Sequence, residues 1–195
     1  MSKRKIEVFA LPYVKQGGTY IDVGANIGET SVPFRDIFDE VHVFEPNPRC
    51  LSRLSHKKFK NRNNFYVHPF ALSDRSGKTD LVVPAGRDSH GTISALRIEK
   101  FAGVPTETYT VDVRTLDSFG IQDVSFIKID VEQGEEQVVK GAEITIRQYR
   151  PVVMFENKRK ENDALFRFFE KLDYTIIRNS FDDTLAVPNP EDEEQ

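Results

Sequence analysis

Within seven residues the stretch FIKIDVEQGEEQVV sets down four carboxylates, Asp130, Glu132, Glu135 and Glu136. An apolar run leads into them, so they lie where a buried strand ends, and charge beside a core is costly unless it is paired or solvated. Asp130 and Glu132 are two apart. If the extended conformation persists, both point to the same side of the sheet at the strand's carboxyl end, where ligands sit. A pair of this kind can hold a cationic group or take a proton from a hydroxyl. Glu135 and Glu136 fall in the first turn of the next helix, whose positive end each would stabilise by about 0.3–1 kcal/mol if exposed. That is the role expected of Glu136, while Glu135 stays open between helix support and the site.

A second constellation lies at YIDVGANIGET, where Asp22, Gly24, Asn26 and Gly28 mark a strand running into a turn. Gly24 and Gly28 allow close approach of backbone and ligand, and a following helix would offer free N–H groups to an anion. The spacing is not the dinucleotide G-x-G-x-x-G, and Glu29 in the first turn would repel a pyrophosphate. A small anionic group such as an amino-acid carboxylate fits better. Glu45 ends the next strand, where an acid roughly 20 residues on can accept both hydroxyls of an adenosine ribose. Together the two motifs predict a site for an adenosine ligand.

The elements that must position these residues follow a β-α-β-α-β rhythm. A short helix over about residues 3–11 precedes strand TYIDVG. A helix over Ile27–Phe38 leads to strand EVHVFEP, and a helix from Pro48 to about Phe59 to strand NFYVHPF. Residues 74–114 break the alternation with two strands around the polar loop GRDSHGTISAL, a small β insertion. Alternation resumes with strand 124–130, a helix over about Gly134–Tyr149, strand PVVMFE, helix 161–172 and strand DYTIIR. A last strand near DTLAVP is expected to pair antiparallel with it. Residues 1–188 read as one domain, and 189–195, proline and acid with almost nothing apolar, as a disordered tail.

The blocks YIDVGANIGET, VFEPNP, HPFALSD, FIKIDVEQGEEQVVKGA and RPVVMFE occur in the order seen in the FkbM-family S-adenosylmethionine-dependent methyltransferases, which the chain resembles over about residues 19–156. The resemblance implies an α/β class I methyltransferase (Rossmann-like) fold, a seven-stranded mostly parallel sheet with helices on both faces. It also implies methylation of a hydroxyl on a sugar, polyketide or other small molecule. By position, Asp22, Gly24, Asn26 and Gly28 would form the cofactor loop, Glu45 would hold the ribose, and Ala71 and Leu72 would lie near adenine. A carboxylate near the cofactor could hold its amino group and one near the acceptor could remove the hydroxyl proton; Asp130, expected to bind cofactor and to act in catalysis, and Glu132, expected to act in catalysis, are the candidates. The chain departs from the family at Gln133, where Asp-x-Glu-Gly-x-Glu usually carries glycine, so the turn after Glu132 should differ in shape.

Other candidates are weighed against plainer roles. Glu156 and Asn157 end the strand beside Asp130, and these three oxygens could hold Mg²⁺ or Ca²⁺, although a strand-end Glu-Asn needs no metal. His90, in the insertion loop with Ser89 and Thr92, is a candidate base or substrate contact. His68, beside Pro69, reads as structural. The basic run Arg53, His56, Lys57, Lys58, Lys60 and Arg62 reads as a solvated helix face, or else as a receiver for a phosphorylated, acidic-sugar or RNA acceptor.

Composition narrows the classes. At 195 residues and 38% hydrophobic content the chain suits one compact domain. No run spans a bilayer, the N-terminus is too short in apolar residues for a signal peptide, and Cys50 is the only cysteine, which together predict a cytoplasmic protein. A net charge of -4 gives no general affinity for nucleic acid or anionic membrane. A reductase is excluded by the missing dinucleotide loop and Tyr-x-x-x-Lys pair. Amino-directed base methylation lacks its Pro-Pro-aromatic motif, and cytosine-C5 methylation its Pro-Cys. The expected activity is O-methylation of a small-molecule or glycan hydroxyl. Ribose 2′-O-methylation of RNA, through Asp130 and Lys158, and non-catalytic binding of S-adenosylmethionine are the alternatives.

Overall fold

Apolar runs that end in glycine or proline form the inner strands, because a strand covered on both faces needs apolar side chains on both. A computed structural model describes residues 8–54, 63–87, 91–156, 163–178 and 183–190. The elements are β1 (Thr19–Val23), β2 (Glu40–Phe44), α1 (Pro48–Leu54), β3 (Phe65–His68), β4 (Ala71–Leu72), β5 (Gly77–Pro84), α2 (Ala95–Ile98) and β6 (Thr106–Arg114). There follow β7 (Val124–Ile129), α3 (Glu135–Lys140), α4 (Glu143–Tyr149), β8 (Val152–Glu156), α5 (Asp163–Lys171), β9 (Tyr174–Arg178) and β10 (Asp183–Pro188).

Seven strands form one sheet in the order β3-β2-β1-β7-β8-β10-β9. All neighbours from β3 to β8 are parallel, while β10 runs antiparallel to both β8 and β9. The antiparallel pairing of β9 and β10 is as expected. That β10 inserts between β8 and β9 is not visible in the sequence. The order reverses between β1 and β7, so the crevice for a ligand opens at their carboxyl ends.

Alternation along the strands sorts the core into two layers. Ile21, Val23, Ile127, Ile129, Val153 and Phe155 share one cluster with Val138 of α3, Ile146 of α4 and Phe169 of α5. Tyr20, Val41, Val43, Phe126 and Met154 share the other with Phe34 and Phe38. Tyr20 stacks on Phe126 across the β1–β7 pair, ring centres 5.0 Å apart. The insertion forms its own sheet, β4-β6-β5. Arg49, at the start of α1, pairs with Glu107 of β6, which also accepts the Tyr109 hydroxyl, so the insertion is tied to the main body.

Two expected helices are corrected. Residues 27–38 form turns and a short 3₁₀ segment, Val32–Phe34, instead of an α-helix. Asn26 and Gly28 have positive φ, and Thr30 and Ser31 turn their hydroxyls onto Asp22, an alternative to helical hydrogen bonding. The helix expected over 134–149 breaks at Gly141. A Cβ there would lie 2.0 Å from the Ser73 carbonyl oxygen, and Asp117 then caps α4 by accepting the Ile144 and Thr145 N–H groups at 3.0 and 2.9 Å. Residues 3–7, 55–59 and 161–162 of expected helices lie outside the described residues, as do most of the basic run, where Arg53 alone is described, and residues 191–195 of the tail. Among the described residues no helix is long and apolar enough to cross a membrane.

Candidate active site

A cavity of about 470 Å³ opens at the carboxyl ends of β1, β2 and β7 and is roofed by the insertion. Its size suits a small organic ligand. Gly24, Asn26, Glu45, Ala71, Leu72, Asp130 and Glu132 all line it, so one wall brings together most of the residues singled out by the sequence. Asp22 and Gly28 do not line it. His90 and Asn157 lie outside the described residues.

The β1 turn is built on close approach. Gly24 has φ +79°, and a Cβ on it would sit 2.0 Å from the Asp130 carbonyl oxygen. Its N–H donates to the Phe44 carbonyl at 2.9 Å, while the Asp130 N–H donates to the Val23 carbonyl at 2.9 Å. The turn is thus pinned to β2 on one side and β7 on the other. Asn26 takes a left-handed conformation, which asparagine tolerates, and its side-chain oxygen accepts the Cys50 thiol at 3.1 Å.

Glu45 is 6% exposed, and its two oxygens accept the N–H groups of Asn26 and Asn47, each at 2.8 Å. These bonds aim the carboxylate and leave each oxygen a lone pair for a ligand hydroxyl. Burial pushes the carboxyl up to about 7, against the pull of the two amides toward the charged form.

Asp22 works behind the wall. It is fully buried, and its carboxylate accepts the Thr30 hydroxyl at 2.9 Å, the Ser31 hydroxyl, and the Lys128 ammonium at 2.8 Å. Its part is to hold the loop, where a direct cofactor contact was expected. Lys128 was not among the residues read as functional. It is 2% exposed, sits opposite Asp22 in the β1–β7 register, and also reaches Asp130 at 3.7 Å. Burial pulls its ammonium down, but Asp22 and Asp130 outweigh this and hold it above its usual value. A lone lysine inside an apolar strand, on the same alternating face as Asp130, was the available signal.

After Ile129 the chain leaves the extended conformation. Glu132 and Gln133 have φ of +54° and +77°, so the premise that Asp130 and Glu132 point alike along a strand fails, although both reach the cavity. The turn is held by Thr92, whose hydroxyl donates to the Glu132 carbonyl at 3.0 Å and accepts the Ser94 N–H at 3.0 Å. Glu135 is buried and accepts the Gln133 N–H at 3.3 Å. Burial, and then repulsion by Glu156 and Asp130, push its carboxyl up to about 7. Glu136 is tied to Lys140 one turn on at 2.7 Å, the helix-supporting role expected of it.

Among the described residues no three His, Cys, Asp or Glu side chains converge as a metal would require. Glu156 lies close enough to Glu135 for the two like charges to repel. His68 packs between Phe44 and Phe119 with its Nε2 3.0 Å from His42 Nδ1, a structural place outside the cavity wall.

The family model described as Methyltransferase FkbM domain matches residues 22–176. The chain belongs to the FkbM methyltransferase family. Methyl transfer from S-adenosylmethionine is that family's chemistry. A solved FkbM methyltransferase from Methylobacillus flagellatus KT superposes with a TM-score of 0.66 at 19% identity, over 95% of this chain and 48% of the other. The chain thus spans about half of that protein's length. A precorrin-6y C5,15-methyltransferase from Geobacter metallireducens GS-15 gives 0.53 at 14% identity, over 97% and 90% of the two chains. An rRNA methylase from Streptococcus thermophilus gives 0.51 at 9%, over 90% and 87%. At such identities these likenesses show the fold, which is that of the class I methyltransferases. No match to a curated protein is found.

Proposed function

We propose that this FkbM-family chain is an S-adenosylmethionine-dependent O-methyltransferase acting on a hydroxyl of a sugar or other small molecule. The observation that carries the reading is Glu45, a buried carboxylate aimed by two backbone amides into a cavity that also exposes the Gly24–Asn26 turn and Ala71–Leu72. The donor set fits the cofactor. An acceptor-only carboxylate suits a free ribose diol and disfavours a phosphorylated one, the apolar Ala71–Leu72 edge suits a purine, and Asp130 suits an ammonium group.

When bound, S-adenosylmethionine supplies a methyl group on a sulfonium, which becomes a neutral thioether as an oxygen nucleophile takes the methyl. The residues mainly orient, because in-line displacement needs little beyond alignment. Glu45 and the Gly24–Asn26 turn fix the nucleoside end, and Asp130 the amino-acid end. Glu132, a cavity carboxylate beyond β7, would accept the hydroxyl proton of the acceptor. Titration with S-adenosylhomocysteine tests the reading: wild type should bind, and Glu45→Gln should lose at least tenfold in affinity. Equal binding by the two proteins would refute the assignment of the ribose site.

A further inference from the structure

Lys128 is 2% exposed and does not line the cavity, yet its ammonium stands between two acids of the crevice. It lies 2.8 Å from Asp22 Oδ1, near the end of β1, and 3.7 Å from Asp130 Oδ2, directly beyond β7. Both acids act on it: together they hold the ammonium above its usual value against the pull of burial. Asp22 is 0% exposed and turned inward, whereas the Asp130 side chain is 21% exposed and lines the cavity. One buried lysine therefore joins the acid that holds the loop to the acid proposed to hold the cofactor's amino group.

The backbone of Asp130 is already fixed. Its N–H donates to the Val23 carbonyl at 2.9 Å, and its carbonyl oxygen lies against Gly24, where a Cβ would come within 2.0 Å. Neither contact sets the rotation of the carboxylate, and a side chain that turns among rotamers at a cavity wall loses that freedom when it binds. Lys128, itself locked by Asp22 and the packed sheet, restrains the rotation by drawing Oδ2 toward β1. Asp22, at the shorter distance, offsets the ammonium, so the trio carries one net negative charge and Asp130 keeps its pull on a ligand cation. Resting on the proposed function, we infer that Lys128 is a positioning residue, which holds the Asp130 carboxylate in the orientation that receives the ammonium group of S-adenosylmethionine. The preference of the site for a complete amino-acid end over a bare adenosine thioether thus depends on a residue behind the wall.

The test compares S-adenosylhomocysteine with 5′-methylthioadenosine, which keeps the adenosine and the sulfur but carries a methyl group in place of the amino-acid chain. Calorimetry gives both affinities for wild type, for Asp22→Asn with Lys128→Met, for Asp130→Asn, and for the triple variant. The paired variant keeps the net charge of the trio and strands no buried carboxylate, so it separates position from field. Wild type should prefer S-adenosylhomocysteine. In the paired variant that preference should fall about fivefold or more, with 5′-methylthioadenosine affinity within about threefold of wild type. In Asp130→Asn it should fall about tenfold or more, and the triple variant should match Asp130→Asn, because Lys128 acts through that carboxylate. If circular dichroism finds the paired variant unfolded, Asp22→Asn with Lys128→Gln carries the same expectation, its side chain being one atom shorter and out of reach of Asp130. An unchanged preference in the folded variant would overturn the inference, as would a parallel loss for both ligands, which would make Lys128 structural. So would a triple variant that drops below Asp130→Asn by the factor seen in the paired variant, or a wild type that binds the two ligands alike. Failure of the adenosine site itself reads differently: wild type then binds neither ligand, or both bind as well after Glu45→Gln, and the inference falls with it.

Discussion

Replacing Lys128 with methionine removes the cation that pairs with Asp22 inside the sheet. Lys128 is 2% exposed and Asp22 is 0% exposed, with 2.8 Å between ammonium and carboxylate. Methionine fills most of the stem's volume, so the effect is electrostatic more than steric. Asp22 would keep the Thr30 and Ser31 hydroxyls but lose its cation, and removing one partner of a buried pair costs about 3–5 kcal/mol. Against a total stability of about 5–15 kcal/mol, that is a large fraction. For a domain of this size it corresponds to a fall in Tm of roughly 6–20 °C. The chain has no tryptophan, so unfolding in urea should be followed by far-UV circular dichroism. The double variant Asp22→Asn with Lys128→Met should recover part of the loss, because the amide still accepts the two hydroxyls while the uncompensated charge is gone. A Lys128→Met protein within about 1 kcal/mol of wild type, or a double variant no more stable than the single, would refute the reasoning.

Through the ribose contact proposed for it, Glu45 should make cofactor binding depend on pH. Burial raises its pKa to about 7, and only the charged form accepts both ribose hydroxyls, so affinity for S-adenosylhomocysteine should fall as pH drops below about 7, by about fivefold over the first unit. Glu45→Gln should bind about 10- to 150-fold more weakly at neutral pH, from losing a charge-assisted contact of about 1.5–3 kcal/mol, and calorimetry should find its affinity nearly flat with pH. Gly24→Ala meets both a left-handed backbone and the Asp130 carbonyl, so chemical denaturation should show a loss of roughly 2–5 kcal/mol, with S-adenosylhomocysteine binding lost as well. Burial and then His42 push His68 down to about 4, so its contribution to stability is present above about 6.5 and is lost as pH falls through that window. Glu45 and Glu135, both raised, act in the opposite direction between their unfolded value and about 7. The difference between wild type and His68→Gln isolates the histidine and should slope between about pH 6.5 and 4 and be flat above 7.

Much of the site was legible because strand ends are written locally. An apolar run followed by glycine or by acid states where a parallel strand stops, and ligands gather at such stops whatever the details of packing. For that reason Gly24, Glu45 and Asp130 could be placed at strand ends from sequence alone. The helix expected over residues 27–38 failed for a nonlocal reason: Thr30 and Ser31 find in Asp22 a partner that competes with helical hydrogen bonding, and Asp22 is oriented by Lys128, more than a hundred residues away.

What the sequence determines by itself is the set of strands, their buried faces and the chemistry available at their ends, since alternation and chain breaks are properties of neighbouring residues. Only the tertiary structure decides which carboxylate faces a ligand and which faces a lysine. Asp22 and Asp130 look alike in sequence, as acids at the ends of apolar runs. Asp22 is turned into the sheet against the Lys128 ammonium, while Asp130 stands at the cavity wall, because the β1–β7 register sets Lys128 opposite Asp22 and two residues short of Asp130. The turn at Glu132 and Gln133 is likewise a tertiary product, held left-handed by Thr92 from the insertion and by Glu135 from the next helix.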